Sequence, residues 1–175
     1  MNSALIPLDE GQKIEGLQIP VEFYWVLRQP APLAGMRLPS PSSKSWNELW
    51  EHGFRWVVCL CSDRPLYDPS PLNQLVTVEL TDLAEESMPE DPELEENAIG
   101  IIAKKIVEKL DAGEGVIVHC AGGRGRTGTV LGVTLRLLGF DTPGVVEFLD
   151  QIHRVRRRPG WPEAEWQQKV VERAA

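Results

Sequence analysis

Apolar positions along the chain form short continuous runs and stripes with helical spacing. The runs are rich in β-branched and aromatic residues, which predicts strands at residues 22–27, 54–61, 75–80 and 116–119. The stripes have apolar residues three or four apart, which predicts helices starting near residues 45, 92, 126 and 142, and a last amphipathic segment from residue 161. Because strands alternate with helices, we expect an α/β layer architecture.

Turn and capping residues mark where several of these elements begin or end. Ser45 and Glu48 have the spacing of a capping box, and Gly53 and Gly113 are placed to stop two helices. Thr142, which a proline follows, has the position of a helix cap. Residues 1–20 are predicted to be an irregular lead-in. With no internal repeat in the sequence, we expect a single domain over residues 1–175.

Composition and charge exclude several classes of protein. The chain has 18 basic and 26 acidic residues among 175, and the resulting net charge of −8 argues against a general nucleic-acid surface. No apolar run approaches the ~20 residues of a membrane span, and the first residues lack a secretory signal. We therefore expect a cytoplasmic protein with no membrane span and no nucleic-acid partner, and no particular oligomeric state is favoured.

The three cysteines are Cys59, Cys61 and Cys120, and an odd number in a cytoplasmic chain argues against a disulfide framework. Cys59 and Cys61 are one residue apart and no second compact ligand pair follows, so we expect no zinc or other metal site. Both lie in one apolar strand and point to the same face, which favours core packing. A sharper hypothesis is that one of the two, with Cys61 as the first candidate, reaches Cys120 and protects it through a reversible disulfide.

The stretch with the clearest chemistry is VIVHCAGGRGRTGT, residues 116–129. An apolar strand leads to Cys120, a glycine-rich turn follows, and a helix begins near Arg126. Ligands of open α/β sheets bind at this carboxyl end of the strands. Glycines let successive N–H groups point inward, and together with a helix N-terminus they form an anion cradle. The predicted substrate-binding residues are Ala121, Gly122, Gly123, Arg124, Gly125 and Arg126.

Arg126 lies six positions after Cys120, so its guanidinium can close the cradle with a two-pronged contact to phosphate oxygens. The same positive field favours the thiolate of Cys120, which is the attacking form. Thr127 or Thr129 can donate a hydrogen bond to the sulfur as it leaves, and its place next to the arginine favours Thr127. Arg124 either enlarges the positive field or projects into solvent.

The Cys-x5-Arg pattern, and more fully His-Cys-x-x-Gly-x-x-Arg-Thr, resembles the signature of the protein tyrosine phosphatase superfamily, in particular the small atypical dual-specificity phosphatases. Residues 23–26 with 33–39 are similar to the opening segment of those enzymes, and residues 158–160 with Gln167 or Gln168 are similar to their final helical region. The resemblance implies a central mixed, largely parallel sheet flanked by helices. It also implies that no metal or organic cofactor takes part.

The resemblance further implies a catalytic aspartate on a loop after an earlier strand. Asp82 follows the predicted strand at residues 75–80 and precedes Cys120 by 38 residues, whereas Asp91 precedes it by 29. We favour Asp82 and keep Asp91 as the alternative. By the same resemblance, His119 orients the loop through a hydrogen bond. It is not expected to shuttle protons with Cys120, because adjacent strand residues point in opposite directions.

These features predict a phosphatase that hydrolyses phosphomonoesters through a phosphocysteine intermediate. The favoured substrate is protein phosphotyrosine, with phosphoserine and phosphothreonine as further candidates, and the partner is a phosphorylated protein or a small phosphomonoester. Phosphoinositides and other non-protein phosphates are alternative substrates, although the loop lacks the lysine of some lipid-directed relatives. A catalytically silent phosphate-binding module and a sulfurtransferase are competing functions for the same loop. The predicted catalytic residues are Cys120, Arg126, Asp82, Thr127 and His119.

Overall fold

The computed structural model describes residues 4–6, 23–42 and 45–175. Its strands are β1 (Tyr24–Leu27), β2 (Leu33–Met36), β3 (Phe54–Cys59), β4 (Asn73–Thr77) and β5 (Gly115–His119). Its helices are α1 (Trp46–Glu51), α2 (Pro92–Asp111), α3 (Gly125–Leu137), α4 (Thr142–Arg154) and α5 (Glu165–Arg173). Residue 22 and most of the predicted lead-in lie outside the described residues. Within the lead-in, Leu5 forms an antiparallel bridge with Leu27.

The five strands form one mixed sheet in the order β1-β2-β5-β3-β4. β1 runs antiparallel to β2, whereas β2, β5, β3 and β4 are mutually parallel neighbours. The α/β architecture and the largely parallel sheet are therefore confirmed. β5 is central and all five of its residues are buried, as its unbroken apolar run predicts for a strand covered on both faces.

Helices cover both faces of the sheet, and the alternation of side chains along the strands divides the core between them. Val116 and Val118 of β5 pack in the larger cluster, which also holds the buried faces of α2 to α5. Ile117 points the other way, into a smaller cluster with Trp46 and Leu49 of α1. The longest helix, α2, carries charged residues along its length, and no helix in the described ranges is long and apolar enough to cross a membrane.

Two predicted strands end earlier than expected. β3 stops at Cys59 rather than at residue 61, and β4 covers Asn73–Thr77 rather than residues 75–80. The parallel ladder ends where Cys59 pairs with Thr77, and beyond it only an antiparallel bridge joins Cys61 to Glu79. The strand periodicity continues past the ladder because residues 78–80 remain hydrogen-bonded to the end of β3.

Two helix caps differ from prediction, whereas two helix stops agree with it. Ser45 precedes α1 but makes no side-chain capping bond, because its backbone has φ −81° and ψ 3° rather than the extended cap conformation. Asp141, not Thr142, caps α4 and accepts a 3.2 Å hydrogen bond from the Gly144 N–H. Both expected helix-stop glycines, at positions 53 and 113, adopt positive φ angles of 94° and 79°.

Two helical glycines provide a matched test of packing. A Cβ on Gly132 of α3 would lie 2.6 Å from a methyl group of Val171 and 3.0 Å from one of Leu149, whereas a Cβ on Gly100 of α2 meets nothing within 4 Å. Gly132→Ala should lower the free energy of unfolding by about 1–3 kcal/mol through overpacking. Gly100→Ala should raise it by about 0.5–1 kcal/mol through helix propensity. Urea unfolding followed by circular dichroism measures both, and equal effects would contradict this packing.

Candidate active site

The central strand delivers Cys120 to the carboxyl edge of the sheet. β5 ends at His119, the next five residues form the glycine-rich loop, and α3 starts at Gly125. Cys120 is only 3% exposed, and its sulfur accepts a 3.3 Å hydrogen bond from the Gly123 N–H. The sulfur is therefore almost covered and lies against a backbone amide of its own loop.

The loop is held in place by hydrogen bonds to its carbonyl oxygens. Leu38 N–H donates to the carbonyl of residue 121 at 3.1 Å, and the Arg158 guanidinium donates to that of residue 122 at 2.9 Å. The Tyr24 hydroxyl donates to the carbonyl of residue 123 at 2.7 Å, and Trp161 Nε1 to that of residue 125 at 3.3 Å. Because these carbonyls are bonded outward, the intervening N–H groups are free to converge on a ligand.

The three side chains that anchor the loop have roles that the sequence analysis missed. They are Tyr24, Arg158 and Trp161. Tyr24 is fully buried, and burial raises the pKa of its phenol, which keeps the hydroxyl protonated as a donor. A Cβ on Gly35 would lie 2.4 Å from the Tyr24 ring, so β2 needs a glycine beside the tyrosine. No local pattern in the sequence pairs β1 with a loop 99 residues away.

Arg126 lies in the first turn of α3, directly after the loop. Its side chain is only 8% exposed, with Nη1 donating to the Leu80 carbonyl at 3.2 Å and Nη2 lying 3.6 Å from Asp82 Oδ1. Its buried Nε has no hydrogen-bond partner among the described residues. A buried guanidinium N–H without a partner is costly, so an anionic ligand that accepts from it is strongly favoured.

Of the two candidate acids, the structure brings only Asp82 to Arg126. Hydrogen bonds from Val78 and Leu80 to the end of β3 direct the following residues toward the carboxyl edge of the sheet, and the Asp82 side chain is 74% exposed there. Asp91 instead caps α2, where its carboxylate accepts a 3.0 Å hydrogen bond from the Leu94 N–H.

His119 supports the loop from the opposite face of β5. Its Nδ1 lies 3.1 Å from the Cys120 carbonyl, which can only accept, so Nδ1 carries the proton. In the neutral ring Nε2 is then the acceptor, and the Tyr67 hydroxyl donates to it. Burial raises the pKa of Tyr67, which preserves this donor. The arrangement agrees with the predicted orienting role of His119.

The two threonines differ in their hydrogen bonding. Thr129 Oγ1 donates to the Gly125 carbonyl at 2.8 Å, so its hydroxyl proton is already used. Thr127 is fully buried, and its hydroxyl has no hydrogen-bond partner within the described ranges. Thr127 is therefore the hydroxyl available to a ligand or to the sulfur.

Arg124 neither reaches toward the loop centre nor projects freely into solvent. Its guanidinium pairs with Glu163 at 2.8 Å and donates to the Gly160 carbonyl at 2.5 Å. Burial raises the pKa of Glu163, and the charge of Arg124 partly offsets that shift. A Cβ on Gly125 would lie 1.9 Å from a Glu163 oxygen, so this glycine makes room for the carboxylate. Of the two loop arginines, Arg124 is thus already neutralised.

Cys59 and Cys61 meet behind the loop, beside His119. One ligand atom from each of the three residues lies within 4.8 Å of the others. A hydrogen bond from the Cys61 thiol lowers the pKa of Cys59 and raises that of Cys61. Cys59 is fully buried and Cys61 partly exposed. The protective disulfide between Cys61 and Cys120 stays a prediction.

A cysteine and an arginine that share an anion cradle at the end of a central parallel strand define the class of cysteine-dependent phosphatases with the dual-specificity fold. The chain belongs to the family described as PTP-SAK, the Swiss Army Knife protein DSP-PTPase phosphatase domain, which it matches over residues 20–168. The predicted membership of the protein tyrosine phosphatase superfamily is thereby confirmed.

Solved structures show the same fold at low sequence identity. Tk-PTP, crystallised in its active form, is 24% identical with a TM-score of 0.58, and the match covers 82% of this chain and 92% of that one. PTPMT1 in complex with PI(5)P is 17% identical with a TM-score of 0.58, covering 80% and 87%. TpbA of P. aeruginosa is 17% identical with a TM-score of 0.55, covering 82% and 80%.

Two neighbouring loop glycines test the geometry of the cradle. Gly123 has φ +73°, and a Cβ there would lie 2.4 Å from the Met36 carbonyl oxygen, whereas a Cβ on Gly122 has no neighbour closer than 3.7 Å. Gly123→Ala should lower kcat/KM for p-nitrophenyl phosphate by at least about 100-fold, since loss of one preorganised donor alone costs roughly 10²–10³. Gly122→Ala, the control, should remain within a few-fold of the wild type.

Circular dichroism must show that both loop variants are folded. If folded Gly123→Ala retains wild-type kcat/KM, the amide cradle is not needed for turnover and the assignment of the loop is wrong.

Proposed function

We propose that this protein hydrolyses phosphomonoesters through a phosphocysteine intermediate, with phosphotyrosine in proteins as the favoured substrate. The observation that carries the proposal is a pair of buried donors just after the Cys120 loop, Arg126 Nε and the Thr127 hydroxyl, which have no hydrogen-bond partner among the described residues. They lie beside a loop whose carbonyls are bonded outward, so a tetrahedral anion over the sulfur supplies the missing acceptor atoms.

In the first step the Cys120 thiolate attacks phosphorus. The S–P bond forms, the bond from phosphorus to the leaving oxygen breaks, and Asp82 gives its proton to that oxygen. The loop N–H groups and Arg126 bind the equatorial oxygens, whose charge is greatest in the transition state. The 3.6 Å separation of Asp82 from Arg126 supports this role, because an exposed acid beside the arginine that binds the phosphate is close to the leaving oxygen.

In the second step water attacks the phosphocysteine. Asp82, now ionised, accepts a proton from the water as the new P–O bond forms and the S–P bond breaks. The departing thiolate receives hydrogen bonds from the Gly123 N–H and, in our proposal, from Thr127. His119 holds the Cys120 carbonyl throughout and acts as a positioning residue.

The charge of the groove beside the loop favours a substrate with one phosphate over a polyphosphorylated one. Next to the loop is an open groove of about 820 Å³. Its acidic lining residues outnumber the basic ones six to three, and each basic one is within 3.0 Å of a carboxylate oxygen. The acidic residues are Glu85, Glu86, Asp150, Glu163, Glu165 and Glu172, and the basic ones are Arg124, Arg154 and Lys169.

A second phosphate in this groove would meet like charge and no unpaired cation from its lining. Among the solved relatives, the PTPMT1 structure holds PI(5)P and one TpbA structure holds pTyr, so both substrate chemistries occur within the fold. The groove therefore supports a phosphotyrosine peptide with neutral or basic flanks over a highly phosphorylated inositide.

The proposed activity is tested with a substrate panel on the wild type and on Cys120→Ser. Wild-type protein should release phosphate fastest from a phosphotyrosine peptide with lysine flanks, and more slowly from phosphothreonine peptides and phosphoinositides. Cys120→Ser should lose at least about 1,000-fold in kcat, because it lacks the nucleophile, and should still bind vanadate or phosphate by calorimetry.

Wild-type turnover in Cys120→Ser would contradict the phosphocysteine route. Binding of phosphate without turnover of any panel member by the wild type would favour the catalytically silent module.

Asp82 and Asp91 can be distinguished as the general acid by how strongly the rate of each variant depends on the leaving group. Asp82→Ala should slow phosphoryl transfer by roughly 10²–10⁴-fold for alkyl phosphates and much less for p-nitrophenyl phosphate, whose leaving group needs little protonation. Asp91→Ala removes a helix cap and should cost about 0.5–2 kcal/mol of stability. Its leaving-group dependence should equal that of the wild type.

Single-turnover kinetics with a series of substituted aryl and alkyl phosphates measures both variants. A steeper leaving-group dependence in Asp91→Ala than in Asp82→Ala would reverse the assignment of the acid.

A further inference from the structure

Two thiols and an imidazole that the proposed chemistry does not use as reactants converge behind the catalytic loop. The sulfurs of Cys59 and Cys61 and a ring nitrogen of His119 lie within 4.8 Å of one another. Core packing accounts for a buried cysteine, but it does not by itself explain why a second thiol and an imidazole nitrogen lie next to it. Thiolate sulfur and imidazole nitrogen together are the donor set of zinc and related thiophilic cations.

The sheet brings these donors together, although they are far apart in the sequence. Cys59 is the last residue of β3 and His119 is the last residue of β5, and the two are paired in register. Paired residues on adjacent strands point to the same face. Cys61 follows two residues later, where its bridge to Glu79 holds it near the strand end. The donors are therefore fixed by the hydrogen-bonded ends of two strands.

The tautomer of His119 leaves a lone pair on the appropriate side of the ring. Nδ1 donates to the Cys120 carbonyl, so in the neutral ring Nε2 carries the lone pair, which accepts from the Tyr67 hydroxyl. Metal-binding histidines commonly donate their other N–H to a backbone carbonyl in this way. A cation on Nε2 would replace the Tyr67 hydrogen bond and leave the bond to the catalytic loop intact.

The distances and exposure suit a cation that enters from solvent. Tetrahedral zinc with Zn–S bonds of about 2.3 Å holds two sulfurs roughly 3.8 Å apart, so the cluster must contract by at most about 1 Å. Cys59 and His119 are fully buried, whereas Cys61 is partly exposed and provides the entry side. The fourth position falls to a water or to the Tyr67 oxygen.

We propose that Cys59 Sγ, Cys61 Sγ and His119 Nε2 form a binding site for a thiophilic cation of the zinc class, distinct from the catalytic Cys120. On binding, both thiols release their protons to solvent and two metal–sulfur bonds and one metal–nitrogen bond form. The two thiolates neutralise a divalent cation, so no net charge is buried. No change in oxidation state takes place.

Cadmium titration under a phosphine reductant tests the site, because cadmium–thiolate bonds absorb in the ultraviolet. Metal-free full-length protein should take up one equivalent with a saturating increase in absorbance. Cys120→Ser should keep that signal, which separates the site from the catalytic thiol. Cys61→Ser should lose most of it and bind zinc at least about 100-fold more weakly in competition with a chromophoric chelator, since even loss of an outer partner costs about 10–100-fold.

Alkylation of the wild type gives a second measurement that depends on no variant. One equivalent of zinc should protect the partly exposed Cys61 from N-ethylmaleimide, read by peptide mass spectrometry, and leave Cys120 reactive. The proposal is overturned if no saturable binding occurs, if the cadmium signal survives in Cys61→Ser and disappears in Cys120→Ser, or if zinc protects Cys120 alone. None of these readouts depends on phosphatase turnover.

Discussion

The structure depends on one constraint, which is that the carbonyl oxygens of the loop after β5 are bonded away from its centre. The carbonyl of residue 121 accepts from the segment after β2, and that of residue 122 from the segment after α4. The carbonyl of residue 123 accepts from β1, and that of residue 125 from the turn before α5. With its carbonyls turned outward, the loop presents its N–H groups to the space above Cys120. The anion cradle is therefore maintained by contacts from most of the fold.

The same arrangement separates the roles of the two loop arginines. Arg126 is held by the Leu80 carbonyl and lies 3.6 Å from Asp82, and its buried Nε, which has no partner among the described residues, is the donor that we propose binds the phosphate. Arg124 is bound by Glu163 and Gly160, so it stabilises the loop and adds little field. On the far side of the sheet, His119 contacts both the Cys120 carbonyl and the cysteine pair, so the proposed cation site would share this residue with the loop.

Local sequence was sufficient where the physical signal is itself local. The apolar run of β5, the glycines after it and the spacing of Cys120 from Arg126 together predicted the central strand, the turn and the helix. Gly53 and Gly113 stop helices because positive φ is open to glycine. The ends of β3 and β4 were misplaced, since periodicity continues where the ladder has stopped. The Ser45 cap failed because backbone angles, not residue type, decide capping.

The sequence by itself determined the fold class and the place of the cysteine-containing, glycine-rich loop between a central strand and a helix, and it predicted that Arg126 closes this loop around an anion. Only the tertiary structure decided what holds the loop, which aspartate lies at Arg126, and that Cys59 and Cys61 meet His119. The side chains that hold the loop contact residues between 36 and 99 positions away in the sequence. The cysteines meet His119 because β3 and β5 are neighbours in the sheet although they are not consecutive in the chain. Spacing along a chain carries no information about such partners, because strand order and helix packing set their separation.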